Sequence, residues 1–227
     1  MGYPIKIKQY FSNGKQYFTI NLALLCILYS IILMMIKKVI FILFIISISS
    51  LLPGCKKGNP VIVIKTELGD ITVELYADKA PLTTRNFLRY VDSSLFKNSC
   101  FYRVVRLDNQ PRDSVRIAVI QGGRWENEDK GFEPIILETT RVTGIHHRDG
   151  VISMARATPA SATSEFFICV GDQPELDFGG KRNKDGEGFA AFGKVTKGMD
   201  VVKRIHSIAA PRQYLDNKII ILDIYRR

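Results

Sequence analysis

The sequence predicts a mostly β domain, an antiparallel sheet that must close or pack on itself to remove its edges, with two helices to plug the open ends. Eight short runs of extended pattern, only two runs of helical period, and glycine at 17 of 227 positions carry that expectation. A content of 46% hydrophobic and 24% charged residues is that of a packed protein and excludes disorder as the dominant state. A single domain accounts for residues 61–227, with no internal repeat and no boundary after Pro60.

Residues 1–54 read as a leader. The run from Val39 to Leu52, VIFILFIISISSLL, follows Lys37-Lys38 and precedes Pro53-Gly54-Cys55, the basic, apolar and small-residue order of a secretion signal. It is too short to span a bilayer, which takes about 20 residues at 1.5 Å each. Upstream, Ile20 to Met35 is a second apolar stretch ending in Met34-Met35. A precursor opening at either methionine makes 35–54 a signal peptide and 1–33 an artefact of start-codon choice. The competing reading is a two-helix membrane hairpin turning at Lys37-Lys38. Lys6, Lys8, Lys15, Lys37 and Lys38 belong to this leader, which has no acidic residue, so residues 55–227 keep 27 basic against 22 acidic side chains, a net +5 in place of +10. No basic block alternating with aromatics remains, and no nucleic-acid partner is expected.

After the linker 55–60, Val61 to Thr66 and Ile71 to Tyr76 flank Leu68-Gly69-Asp70 as a hairpin. Pro81 suits a first helical turn, and Phe87, Val91 and Leu95 recur every fourth residue, predicting a helix over 81–95. Further strands are predicted over 101–105, 117–121, 150–155, 165–170, 189–195 and 219–225, the last preceded by a helix over 198–205. Cys100 and Cys169 lie in strand contexts and read as buried free thiols rather than a disulfide. No CxxC or His/Cys spacing suggests a metal, and no cofactor is expected. His146 and His147 read as loop hydrogen-bonders rather than an acid-base pair, His206 has no visible partner residue, and Trp125 reads as a packed loop anchor.

The strings FYRVV (101–105), QGG (121–123), ISMAR (152–156), SEFFI (164–168) and FAAFGKV (189–195), with APLTTRNF at 80–87 and HRDG at 147–150, occur in an order that resembles the cyclophilin family of peptidyl-prolyl isomerases over residues 60–227. The resemblance implies a closed eight-stranded antiparallel barrel capped by two α-helices, in agreement with the strand count. Leu52-Pro53-Gly54-Cys55 is similar to the lipobox of bacterial lipoproteins, with proline at its second position as a departure. That similarity implies a diacylglyceryl group on Cys55 and a domain tethered to a membrane of the bacterial envelope, in the periplasm or extracytoplasmic space.

Prolyl isomerisation needs no nucleophile or metal. The peptide bond is held planar by a barrier of about 18–20 kcal/mol, and twisting it makes the prolyl nitrogen pyramidal and basic. A fixed donor aimed at that nitrogen therefore binds the transition state better than the ground state. The resemblance assigns that donor to Arg103 and a hydrogen bond to the substrate backbone to Gln121. It lines the proline pocket with Val119, Phe167, Leu176 and Phe189, puts Ala118 at its edge, and has main-chain groups of Ala155 and Arg156 hold the peptide like an added strand.

Several positions depart from the family pattern. Ala118 and Val119 stand where phenylalanine and methionine are usual, widening the pocket. Arg156 replaces an asparagine, Glu175 a tryptophan and Phe189 a histidine. Glu165 replaces a glutamine and brings a carboxylate near Arg103, as an ion pair that would either orient the guanidinium or hold it away. The chain also inserts about ten residues, RLDNQPRDSV, after Val105, and a Gly- and Lys-rich segment, 178–188, expected as an exposed rim loop. The reading is an isomerase acting on proline-containing peptides and unfolded, exported chains. Its alternative is a proline-peptide binding module or chaperone with weak or no turnover.

Overall fold

The computed structural model describes residues 10–12, 15–17, 22–50, 58–125 and 131–227. It divides into two compact units, 1–57 and 58–227.

In the first unit, β1 (Tyr10–Ser12) pairs antiparallel with β2 (Lys15–Tyr17), and α1 runs unbroken from Leu22 to Ser50. The two-helix hairpin is thereby corrected: Lys37 and Lys38 lie inside one helix. Lysine is a good helix former, and its long stem carries the charge away from the apolar surface, so two of them interrupt hydrophobicity without interrupting backbone geometry. With the upstream stretch included, residues 25–44 are long and apolar enough to cross a membrane, a test that signal sequences also pass. Cys55 lies outside the described residues.

The second unit is a closed antiparallel barrel of eight strands: β3 (Val61–Thr66), β4 (Gly69–Leu75), β5 (Ser99–Val105), β6 (Val119–Gly123), β7 (Val151–Met154), β8 (Phe166–Cys169), β9 (Ala190–Lys197) and β10 (Tyr214–Arg226), in the order β10-β3-β4-β9-β7-β8-β6-β5. Two helices bury their apolar stripes in the barrel's core cluster. α2 (Pro81–Asp92) contributes Phe87, Leu88, Tyr90 and Val91, and α4 (Met199–Ser207) contributes Val201, Val202 and Ile205. The Phe87 ring meets Phe96, Phe166 and Phe192 at centroid distances of 5.0, 5.5 and 5.2 Å. A one-turn helix α3 (Thr140–Thr143) and a 3₁₀ turn over Pro174–Leu176 have no periodic signal to announce them.

The predicted helix end at Leu95 is corrected to Asp92. Ser94 takes a left-handed φ of 54°, its N–H donates to the Val91 carbonyl, and the Leu95 N–H donates to Tyr90. This is the Schellman arrangement, which leaves Leu95 packed on the core although outside the helix. β6 begins two residues later than expected and takes in Gly122-Gly123, while β10 begins five residues earlier, with an irregularity between Tyr214 and Ile219. Cys100 and Cys169 are both buried, and burial pushes the Cys169 thiol far up.

Alternation along β6 and β8 makes two surfaces from one sheet. Ile120, Phe166 and Ile168 point into the barrel, while Val119, Phe167 and Cys169 join Val105, Ile117 and Leu176 in a second cluster outside it. On β5, strict alternation after the inward Phe101 would send Arg103 into the core. An irregularity opposes Phe101 to Gly122 and Arg103 to Gln121, so Tyr102 is the extra residue. The bulge turns Arg103 and Val105 to the outer face and leaves Val104 in the core.

Candidate active site

On that outer face lies a pocket of about 220 Å³ lined by Ile117, Val119, Phe167, Leu176 and Phe189 on its apolar side and by Arg103, Gln121, Ala155, Arg156, Arg182 and Asn183 around them. Phe167 and Phe189 meet edge to face, with centroids 5.3 Å apart and planes at 89°. The 3₁₀ turn brings Leu176 in, and its carbonyl accepts the Phe189 N–H at 3.0 Å. Of the residues singled out from sequence, Arg103, Val119, Gln121, Ala155, Arg156, Phe167, Leu176 and Phe189 come together here. Ala118 and Glu165 do not line it. Ala118 takes the alternate register position, is buried, and donates its N–H to Gln173.

The Arg103 guanidinium is fixed from two sides. Nη1 donates to Gln121 Oε1 at 2.9 Å, while Nε and Nη2 both donate to Oε1 of Gln213. Three of its five donors are thus committed, all to neutral amides, and burial holds its pKa below the usual arginine value. The Glu165 carboxylate acts at one remove. Its Oε2 accepts from the Tyr102 hydroxyl at 2.6 Å, and that oxygen accepts from Gln121 Nε2 at 2.6 Å. The QGG string makes the room: a side chain on Gly123, at φ +149°, would collide with the Glu165 carboxylate, and a Cβ on Gly122 would stand 2.8 Å from the Cys100 carbonyl. Burial first, then the charge of Glu165, pushes the Tyr102 hydroxyl far up, so it stays protonated and the relay keeps one polarity.

Gln213 was not foreseen. It sits at φ 69° in the loop before β10, where its carbonyl accepts from Val104 and its N–H donates to Ala210. A polar residue in a loop carries no periodicity, and only proximity reveals it. Trp125 is half exposed, with its ring tilted against Tyr102 at 4.4 Å and Tyr214 at 5.6 Å.

The second inserted loop adds Arg182 to a rim that already carries Arg103 and Arg156, and the first inserted loop holds Arg182 there. Segment 178–188, expected as an exposed rim loop, is exposed at Phe178, Gly179, Lys181, Lys184 and Asp185, while its Arg182 and Asn183 line the pocket. Arg156, its side chain 1% exposed, donates to the Gly188 carbonyl and pairs through both Nη atoms with Asp185 at 2.7 and 2.9 Å. Glu175 accepts the Lys181 N–H at 2.8 Å. Arg182 crosses to the first insertion, where Nη1 meets Gln110 Oε1, the Val115 carbonyl and Asp113 at 3.1, 2.7 and 3.2 Å. At the loop's root Asp177 receives the His147 N–H and lies 2.6 and 2.8 Å from Nδ1 of His147 and His146. Burial would raise its carboxyl, but these hydrogen bonds prevail and hold it at about 2. The histidines are therefore loop anchors. His206, without a visible partner residue in sequence, lies 3.0 Å from the Val105 carbonyl, and burial lowers its pKa. Among the described residues no cluster of three His, Cys, Asp or Glu could hold a metal.

A family model described as "cyclophilin type peptidyl-prolyl cis-trans isomerase/CLD" matches residues 61–225. A peptidyl-prolyl cis-trans isomerase of Acinetobacter baylyi is 37% identical over 155 residues, 66% of this chain and 74% of that protein. Peptidyl-prolyl cis-trans isomerase B of Escherichia coli is 35% identical over 67% of this chain and 87% of its own length. Among solved structures, a cyclophilin type peptidyl-prolyl cis-trans isomerase of Cryptosporidium parvum superposes with a TM-score of 0.60 at 24% identity, over 74% of this chain and 98% of that one. The same protein in the presence of the dipeptide Ala-Pro gives 0.59 at 25% identity.

Proposed function

The chain belongs to the cyclophilin-type peptidyl-prolyl cis-trans isomerases and catalyses cis/trans exchange at prolyl bonds; from that premise we propose that Arg103 is its electrostatic catalyst and the niche beside it its proline site. The observation that carries the assignment is a guanidinium clamped at three N–H groups on the polar rim of a pocket whose floor is apolar. Val119, Phe167, Leu176 and Phe189 take the pyrrolidine ring and exclude water. Two uncommitted Arg103 donors serve the prolyl nitrogen lone pair that forms only in the twisted amide. Because the guanidinium is already bonded to Gln121 and Gln213, little reorganisation is needed at the moment of rotation. Gln121 also serves the backbone of the rotating bond, and the main chain at Ala155 and Arg156 lies along a bound proline-containing peptide.

Two-dimensional exchange NMR on a proline peptide tests this. Arg103→Ala should lower catalysed exchange by about 10²–10³-fold, the scale of one preorganised donor. Equal exchange in both proteins would overturn the assignment of Arg103, and binding without exchange in the wild type would favour the peptide-binding module.

We also propose that 35–54 directs export, that Cys55 is the acylated first residue of the mature protein, and that the clients are exported chains. A basic-apolar-small-Cys order and an exposed apolar helix over residues 25–44 support this. Mass spectrometry of the mature N-terminus tests it: a diacylated Cys55 is the expected result, and a retained residue 1–54 segment overturns it.

A further inference from the structure

Three guanidiniums line the pocket, Arg103, Arg156 and Arg182, and no lining residue is acidic. They are not equally balanced. Arg156 is neutralised by its two-pronged pair with Asp185. Arg103 meets only amide oxygens. Arg182 spends Nη1 on Gln110, Val115 and a half-exposed Asp113, and among the described residues its Nε and Nη2 have no hydrogen-bond partner. Arg182 is close enough to Arg103 to count, after burial, among the charges that disfavour Arg103's protonated form. The next residue, Asn183, also lines the pocket, and its buried amide nitrogen has no acceptor among the described residues.

This wall is rich in donors and short of acceptors. A buried donor left unmet is costly, and a surplus of guanidinium facing an enclosed apolar floor favours an anion with two acceptor oxygens. Proline brings no charge, so the acceptor must come from a neighbouring residue of the substrate. We propose that the two inserted loops make this pocket selective for prolyl bonds flanked by an acidic side chain, Asp or Glu immediately beside the proline, with Arg182 as the specificity residue and Arg156 positioning its loop. The proposal rests on the isomerase reading of the same pocket.

The test uses matched peptides that differ only in Glu or Gln, before the proline in one pair and after it in the other. Exchange NMR gives kcat/KM and calorimetry gives Kd. The Glu peptide of at least one pair should be favoured about fivefold at low ionic strength and progressively less as salt screens the charge. Arg182→Gln should bring the ratio close to one, and Asp113→Asn, which removes the competing carboxylate, should raise it. A ratio near one in the wild type for both pairs, or a ratio that Arg182→Gln leaves in place, overturns the proposal. If no peptide is turned over, the isomerase reading falls, while the Kd ratio still decides the charge preference.

Discussion

The barrel interior and the pocket wall are two faces of the same strands, held by different physics. Inside, Phe87, Phe96, Phe166 and Phe192 are wholly buried and meet ring to ring. Outside, Arg103, Arg156 and Arg182 are held in place by directed hydrogen bonds to amides, carbonyls and carboxylates. Apolar packing tolerates many sequences of similar volume, whereas a hydrogen-bonded guanidinium tolerates few. Stability and catalysis should therefore separate by face.

The largest effect expected is on the interior. Phe87→Ala removes a ring with three aromatic neighbours and no room to collapse, and should cost about 3–5 kcal/mol in urea unfolding. Below the midpoint, kcat/KM per folded molecule should stay within about twofold of wild type, since the pocket cluster is a separate one. A collapse of catalysis in the folded fraction would break the separation. Arg103→Lys should do the reverse. Charge is kept but the planar fork is lost, so Gln121 and Gln213 no longer fix the donor. Exchange should fall about thirtyfold while the urea midpoint hardly moves.

The two faces also differ in how far they could be read from sequence. All eight strands and both capping helices are legible as short runs between turn signals, although β7 and β8 are buried on both faces and do not alternate. Errors fell where a local device overrode the pattern: the Schellman end at Ser94, the early start of β10, and Lys37-Lys38 within an unbroken helix. Most pocket residues were reached through motif order. Alternation alone would have pointed Arg103 inward, since the Tyr102 bulge has no signature in FYRVV. Gln213, Arg182 and Asn183 have no signal in the sequence because loop polar residues have no period, and the first two depend on partners 67 to 110 positions away. Between Glu165 and Arg103 the structure shows a chain of hydrogen bonds that runs through Tyr102 and Gln121.

A smaller effect should appear at the root of the second loop. Asp177 has a folded-state pKa of about 2 against an ordinary 3.8, so its contribution is complete above about pH 4 and fades as pH falls through about 2. Relative to Asp177→Asn, the wild type should gain on the order of 1–2 kcal/mol at neutral pH. That gain should shrink from about pH 4 downward and be gone by about pH 1 in urea melts run at a series of pH values. A difference that stays constant down to pH 2 would show that the carboxylate charge is not what anchors the loop, and would bring the rim closer in character to the core.

The finest test concerns the relay that lies between the faces. The Tyr102 ring packs with Trp125 and Tyr214, while its hydroxyl joins Glu165 to Gln121. Tyr102→Phe keeps the packing and deletes the two hydrogen bonds, leaving Gln121 with one partner fewer and freer to release Arg103. A hydrogen bond of this kind contributes about 1 kcal/mol, so kcat/KM should drop about fivefold while the melting temperature falls by about 4–8 °C for the two bonds lost. Burial and Glu165 keep the hydroxyl protonated throughout the neutral range, so the drop should be the same from about pH 6 to pH 9. Glu165→Gln preserves an acceptor for the hydroxyl and should be milder. Wild-type exchange in Tyr102→Phe would mean that Gln213 alone holds the guanidinium, and the catalytic face would then depend on a loop rather than on the sheet.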